Sequence, residues 1–198
     1  MILGLAVLHA ALTPIHAQSD DAEPSHLGAY ARTLEGLARP VAVAFPPAGA
    51  GNRLHIAVQG DVASPPGVVV RGVGPTASPE ATLGVGVLER PTGVAVDADG
   101  GVWVTDALQH ALWHLPAGEG APRRAASRGS GEGEVVLPAD VDVARDPATG
   151  GDLVLVAEAG TARALLFAAG WGAGRPIGRG LFHAPTAVTF AHAPDGKR

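Results

Sequence analysis

Apolar residues in this chain fall in short bursts separated by Gly, Pro, Asp and Asn, and four of the bursts open on a proline. They read Pro40-Val-Ala-Val-Ala-Phe45, Pro91-Thr-Gly-Val-Ala-Val96, Pro138-Ala-Asp-Val-Asp-Val143 and Pro185-Thr-Ala-Val-Thr-Phe190. The prolines stand 51, 47 and 47 residues apart. After each of the first three comes a turn and a second run, Leu54–Val58, Val102–Thr105 and Leu153–Ala157. A third run follows in each: Val68–Arg71, Ala111–Leu115 and Ala164–Phe167. Short runs rich in Val, Leu and Trp, bounded by turn formers, predict strands. No useful stretch carries the 3.6-residue period of a helix.

The chemistry of one unit explains its order. Pro opens a strand, where its missing N–H and fixed φ cost least. Alternation then places Val94 and Val96 on one face and Gly93 and Ala95 on the other. Asp97-Ala-Asp-Gly-Gly101 supplies a tight turn. A sheet of three or four strands cannot bury both faces alone, so such units must stack. Multi-stranded repeats of this length predict an all-β chain folded as a β-propeller. Blades are expected near residues 37–72, 88–116 and 137–168, with 182–198 opening a fourth.

Residues Pro91-Thr-Gly-Val-Ala-Val-Asp97, Asp99-Gly-Gly-Val-Trp-Val-Thr-Asp106 and Gln109-His110 resemble an NHL repeat. Gln109 and Ala111 stand where that family has Asn and Arg, and Val58 and Glu158 take the place of Asp106 in the neighbouring units. The resemblance implies a propeller, commonly six-bladed, that serves as a binding scaffold and in a minority of cases as an enzyme. It also makes Asp97 and Asp106, with the anchors Pro40, Pro91, Pro138 and Pro185, structural residues of the blade. Six blades at this period need roughly 280 residues, so a partial propeller is expected. Its open blade edge would invite self-association or a protein partner.

Composition narrows the functions. Gly and Pro number 28 and 17, yet 46% of residues are hydrophobic, which suits turn-rich globular structure. A charge of -5, with Arg123, Arg124 and Arg128 the one basic cluster, argues against nucleic acid. No cysteine is present, which excludes disulfides, thiol nucleophiles and Cys-ligated metals. Met1 to Ala17 is too short an apolar segment to span a bilayer and reads as a cleavable signal peptide, with 18–36 a linker or first strand. The expected location is periplasmic or secreted, with no integral membrane segment after cleavage.

Candidate chemistry is sparse. Where the other units carry small residues (Ala42 and Ala44, Gly93 and Ala95, Ala187 and Thr189), the third carries Asp140 and Asp142. Two carboxylates on one strand face could bind a hard cation such as calcium, line a wet channel, or accept N–H groups. His55 and His183 are the other ligand candidates. His110 and His114 are four apart, roughly 13 Å along a strand, too far to share zinc. Gly170–Gly178 resembles a phosphate loop but precedes no helical pattern. Ser127 and Ser130 lack a neighbouring base, and no catalytic residue is assigned. The expected function is therefore an exported scaffold for ligand or protein binding. The alternatives are a propeller enzyme resembling sugar dehydrogenases, lactonases or lyases, and a non-functional truncated fragment.

Overall fold

A computed structural model describes residues 34, 36–47, 52–73, 81–168 and 171–191. The chain divides into two compact units, Met1–Glu35 and Gly36–Arg198. The proposed signal peptide lies outside the described residues, as does nearly all of 18–36. Every described strand belongs to the second unit, and no helix occurs among the described residues.

Three antiparallel sheets follow one another along the chain. The first is β1 (Pro40–Ala44), β2 (Arg53–Val58), β3 (Gly67–Gly72) and β4 (Ala81–Leu83). The second is β5 (Pro91–Val96), β6 (Val102–Asp106), β7 (Ala111–Leu115) and β8 (Arg123–Arg128), with the short β9 (Glu134–Val135) added parallel to β8. The third is β10 (Pro138–Arg145), β11 (Asp152–Glu158), β12 (Arg163–Phe167) and β13 (Arg175–Ile177). Strand order within each sheet is sequence order, so the four antiparallel strands of each form a simple meander.

All three sheets share one irregularity. The register between first and second strand slips just after the proline: between Pro40 and Ala42, Pro91 and Gly93, and Pro138 and Asp140. A bulge there bends the strand as it enters the blade.

Beyond the bulge, cross-strand pairs set two faces per blade. Ala42, Ala57, Val68 and Leu83 form one row of the first blade and pack with Val94, Val104 and Trp113 of the second. On the second blade's opposite face, Ala95, Trp103 and Leu112 meet Val141, Val156, Leu165 and Phe167 of the third. Ala42 and Ala44 thus face the second blade and Val94 faces the first, while Ala95 faces the third blade and Val141 and Val143 face the second. Each seam sets small side chains against β-branched ones, which lets the inner strands approach closely. This is the stacking that a propeller requires, and the fold is all-β.

The run opening at Pro185 pairs with no described strand. Its backbone is instead held by the third blade, as shown below. The second difference from expectation is a fourth strand in each blade, at β4, β8 and β13.

Candidate functional site

Asp106 ends β6 and is fully buried. Its Oδ2 accepts the N–H groups of Glu89 (2.7 Å) and Arg90 (3.0 Å), and its Oδ1 those of Leu108 and Gln109 (3.0 Å each). Four backbone donors satisfy one carboxylate, which fixes both the turn after β6 and the chain leading into Pro91.

Glu158 occupies the same station at the end of β11. Its Oε1 accepts the N–H of Val136 at 2.7 Å, and its Oε2 receives Arg163 Nε at 2.5 Å, with both side chains buried. Arg163 also donates to the carbonyls of Ser130 (2.9 Å) and Glu134 (3.1 Å). The 129–134 segment, which reads as a solvated loop from its Gly and Glu content, is therefore pinned to the third blade. Neither Glu158 nor Arg163 was singled out from sequence as a functional pair. Glu158 to Arg163 repeats the spacing of Asp106 to Ala111.

Asp97 is buried at the turn after β5. Its Oδ1 accepts the N–H groups of Asp99 (3.0 Å) and Gly101 (2.7 Å), while Oδ2 meets His114 Nε2 at 3.0 Å. Burial alone would raise this carboxyl. The hydrogen bonds from His114 and the turn, with the imidazole's charge, outweigh it and hold Asp97 below its usual range. The His114 ring lies 4.5 Å from Trp103 and 4.9 Å from Trp171 between centroids, and Arg123 sits 4.6 Å over Trp171. The imidazole–carboxylate pair is thus walled in by indoles where the second blade meets the third. A Cβ at Gly101 would lie 2.5 Å from both Asp97 Oδ2 and His114 Nε2, so only glycine leaves room for the pair.

Asp140 and Asp142 face the run after Pro185. Asp140 Oδ2 accepts the N–H of Val188 at 3.1 Å; Asp142 Oδ2 accepts that of Phe190 at 2.7 Å and the Thr189 hydroxyl at 3.1 Å. Asp142 Oδ1 also accepts the N–H of Val143 at 2.8 Å. Burial pushes the Asp140 carboxyl up, and the charge of Asp142 adds to the shift against the N–H bonds. N–H donors aimed at these oxygens repel a cation, and calcium takes six to eight oxygen ligands. Among the described residues no group of three or more acids and histidines could hold a metal ion.

His55 is buried on β2 with Nδ1 lacking a hydrogen-bond partner. Burial, then the nearby Arg53, lowers its pKa. His183 is exposed beyond β13. No hydrogen bond joins the two histidines. His110 closes the turn before β7, and its Nδ1 accepts the N–H of Leu137 at 2.9 Å. An open cavity of ≈ 480 Å³ is lined in part by Ser130, Gly131, Arg163 and Arg179, but the guanidinium of Arg163 is already engaged as described.

The segment that holds the buried acid closing the second strand and the Asp–Gly turn before it, residues 88–115, matches the family model of the NHL repeat. This segment is similar to an NHL repeat. Among solved structures the chain is similar to Kuenenia stuttgartiensis hydrazine synthase, with a TM-score of 0.55 and 21% identity. The likeness covers 81% of this chain and 41% of that one, so the chain spans about two fifths of its length. At that identity the likeness speaks for the propeller fold alone. No curated protein matches the chain. The matched segment contributes the second blade, whose Asp97 and Asp106 supply the two turn-fixing carboxylates.

Proposed function

We propose that this chain is an exported NHL-type propeller scaffold that binds a protein partner, with the outer face of the first blade as the docking surface. One observation carries the reading. Val43 and Phe45, three and five residues after their proline, are 41% and 64% exposed, whereas Val94 and Val96 at the same offsets are 5% and 4% exposed. In the second blade Val94 packs in one cluster with Ala42 and Ala44 of the first. The same apolar half of a seam is thus presented by the first blade, with Val41 beside it. Exposed contiguous apolar surface of this kind marks interaction sites. The partner that fits is a β-sheet face carrying small residues. The apolar segment from Met1 to Ala17 supports export.

A photo-crosslinking residue in place of Phe45 tests this in the source cells. A discrete adduct is expected there, and none from the same residue at the exposed Leu108, which lies on a turn of the second blade. Absence of an adduct at position 45, or identical adducts at both, would overturn the docking surface. N-terminal sequencing of the mature protein tests export, with a start at Gln18 the expected result.

A further inference from the structure

We infer that the cavity between the 129–134 segment and β13 is a binding site for a small zwitterion, an amino acid or short peptide bearing one ammonium and one carboxylate. The inference goes beyond the protein-docking reading and does not rest on it, since the cavity shares no residue with the first-blade surface.

Two blades supply the walls. Ser130, Gly131 and Glu132, which follow β8, form one; Gly174, Pro176 and Arg179, in and around β13, form the other; Arg163 of β12 completes the lining. At ≈ 480 Å³ the space falls within the range of roughly 300–1,000 Å³ that holds small ligands.

The first wall is set before any ligand arrives. Gly131 N–H donates to Glu134 Oε2 at 2.8 Å, and Gly129 N–H to the Val135 carbonyl at 3.2 Å. Arg163 holds the carbonyls of Ser130 and Glu134 from below. A Cβ at Gly133 would lie 2.7 Å from the Gly172 carbonyl oxygen, so the two walls meet backbone to backbone at that point. A preformed cavity spares its ligand the entropy of ordering the walls.

Charge selects the ligand. The Arg163 guanidinium has five N–H donors. Four are directed at Glu158, Ser130, Glu134 and, at 3.5 Å, the Gly131 carbonyl, so one remains. Glu158 already balances its charge. Glu132 and Arg179 differ: both are exposed, and among the described residues neither makes a hydrogen bond or an ion pair. Opposite charges thus line one cavity without meeting each other. A carboxylate fits the Arg179 fork, supported by the spare N–H of Arg163 and the Ser130 hydroxyl. An ammonium fits Glu132. A ligand with only a negative charge is repelled by Glu132, and one with only a positive charge by Arg179. A molecule bearing both satisfies the two walls at once.

Calorimetric titration of the full-length protein tests the inference with three probes. Glycylglycine carries both charges, N-acetylglycine the carboxylate alone and glycinamide the ammonium alone. Glycylglycine is expected to bind, and each of the other two to bind at least roughly tenfold more weakly. Glu132→Gln should bring glycylglycine down to the affinity of N-acetylglycine, and Arg179→Gln down to that of glycinamide. Both side chains are exposed and unpaired, so both variants should melt with wild type. Val43→Glu/Phe45→Glu should leave glycylglycine binding unchanged, which separates this site from the first-blade surface. No binding of glycylglycine at millimolar concentration, equal binding of N-acetylglycine, or wild-type affinity in either single variant would overturn the site.

Discussion

At the scale of single residues, buried acids fix the backbone at the ends of strands. Asp106→Ala strands four N–H donors, so a loss of about 3 kcal/mol or more is expected in urea unfolding. Asp106→Asn should fall between, because its amide keeps one acceptor oxygen. Asp97 gives a pH signature. Its folded pKa lies below the unfolded value, so its contribution is present above the unfolded pKa, near 4, and is lost as pH falls through the lower folded pKa. Thermal unfolding below pH 4 should therefore weaken wild type more than Asp97→Asn. These acids were legible as turn residues because Asp beside Gly has a local signature. The indole walls around His114 were not, since Trp103 and Trp171 stand 68 residues apart and only the seam between blades brings them to 4.8 Å.

At the scale of strands, the sequence showed the first three of each blade and missed the fourth. The reason is physical. β4 is Ala-Thr-Leu, β8 is Arg-Arg-Ala-Ala-Ser-Arg and β13 is Arg-Pro-Ile, and all lie largely exposed at the outer rim. Without a buried face there is no selection for apolar alternation, so no period survives to be read. The run at Pro185 shows the opposite case: it carries the full pattern of an inner strand yet forms no ladder, because a pattern cannot supply the neighbour that completes it. Asp140 sits where the other blades have Ala or Gly. Its folded pKa is raised, so the group favours folding below its unfolded pKa and the benefit fades as pH rises through the folded value. Asp140→Asn keeps an acceptor for Val188 and sheds the buried charge. Its melting temperature should exceed that of wild type at pH 7 and equal it at pH 3. A rise in wild-type melting with calcium that the variant lacks would instead favour the metal reading. Gly93→Ala is expected to force the seam apart, since its Cβ would lie 2.7 Å from Asp140 Cα, costing about 1–3 kcal/mol.

At the scale of the whole unit, stability depends on what crosses between blades. Arg163 reaches from the third blade to the carbonyls of the 129–134 segment, which precedes that blade in the chain. Arg163→Met leaves Glu158 as an unpaired buried carboxylate, and a loss of about 3–5 kcal/mol is expected. Pairing it with Glu158→Leu should recover much of that loss in a double-mutant cycle, because the charge and its partner vanish together. The seam rule, in which even offsets of one inner strand meet odd offsets of the next, makes each blade interchangeable at its borders. Residues Pro91–Leu137 form a segment of one 47-residue period, and a duplicate of it placed before Pro138 would find its own counterpart on either side. Such a protein should melt in a single transition with a steeper denaturant slope, lengthened by one module as a stack of tiles gains a course.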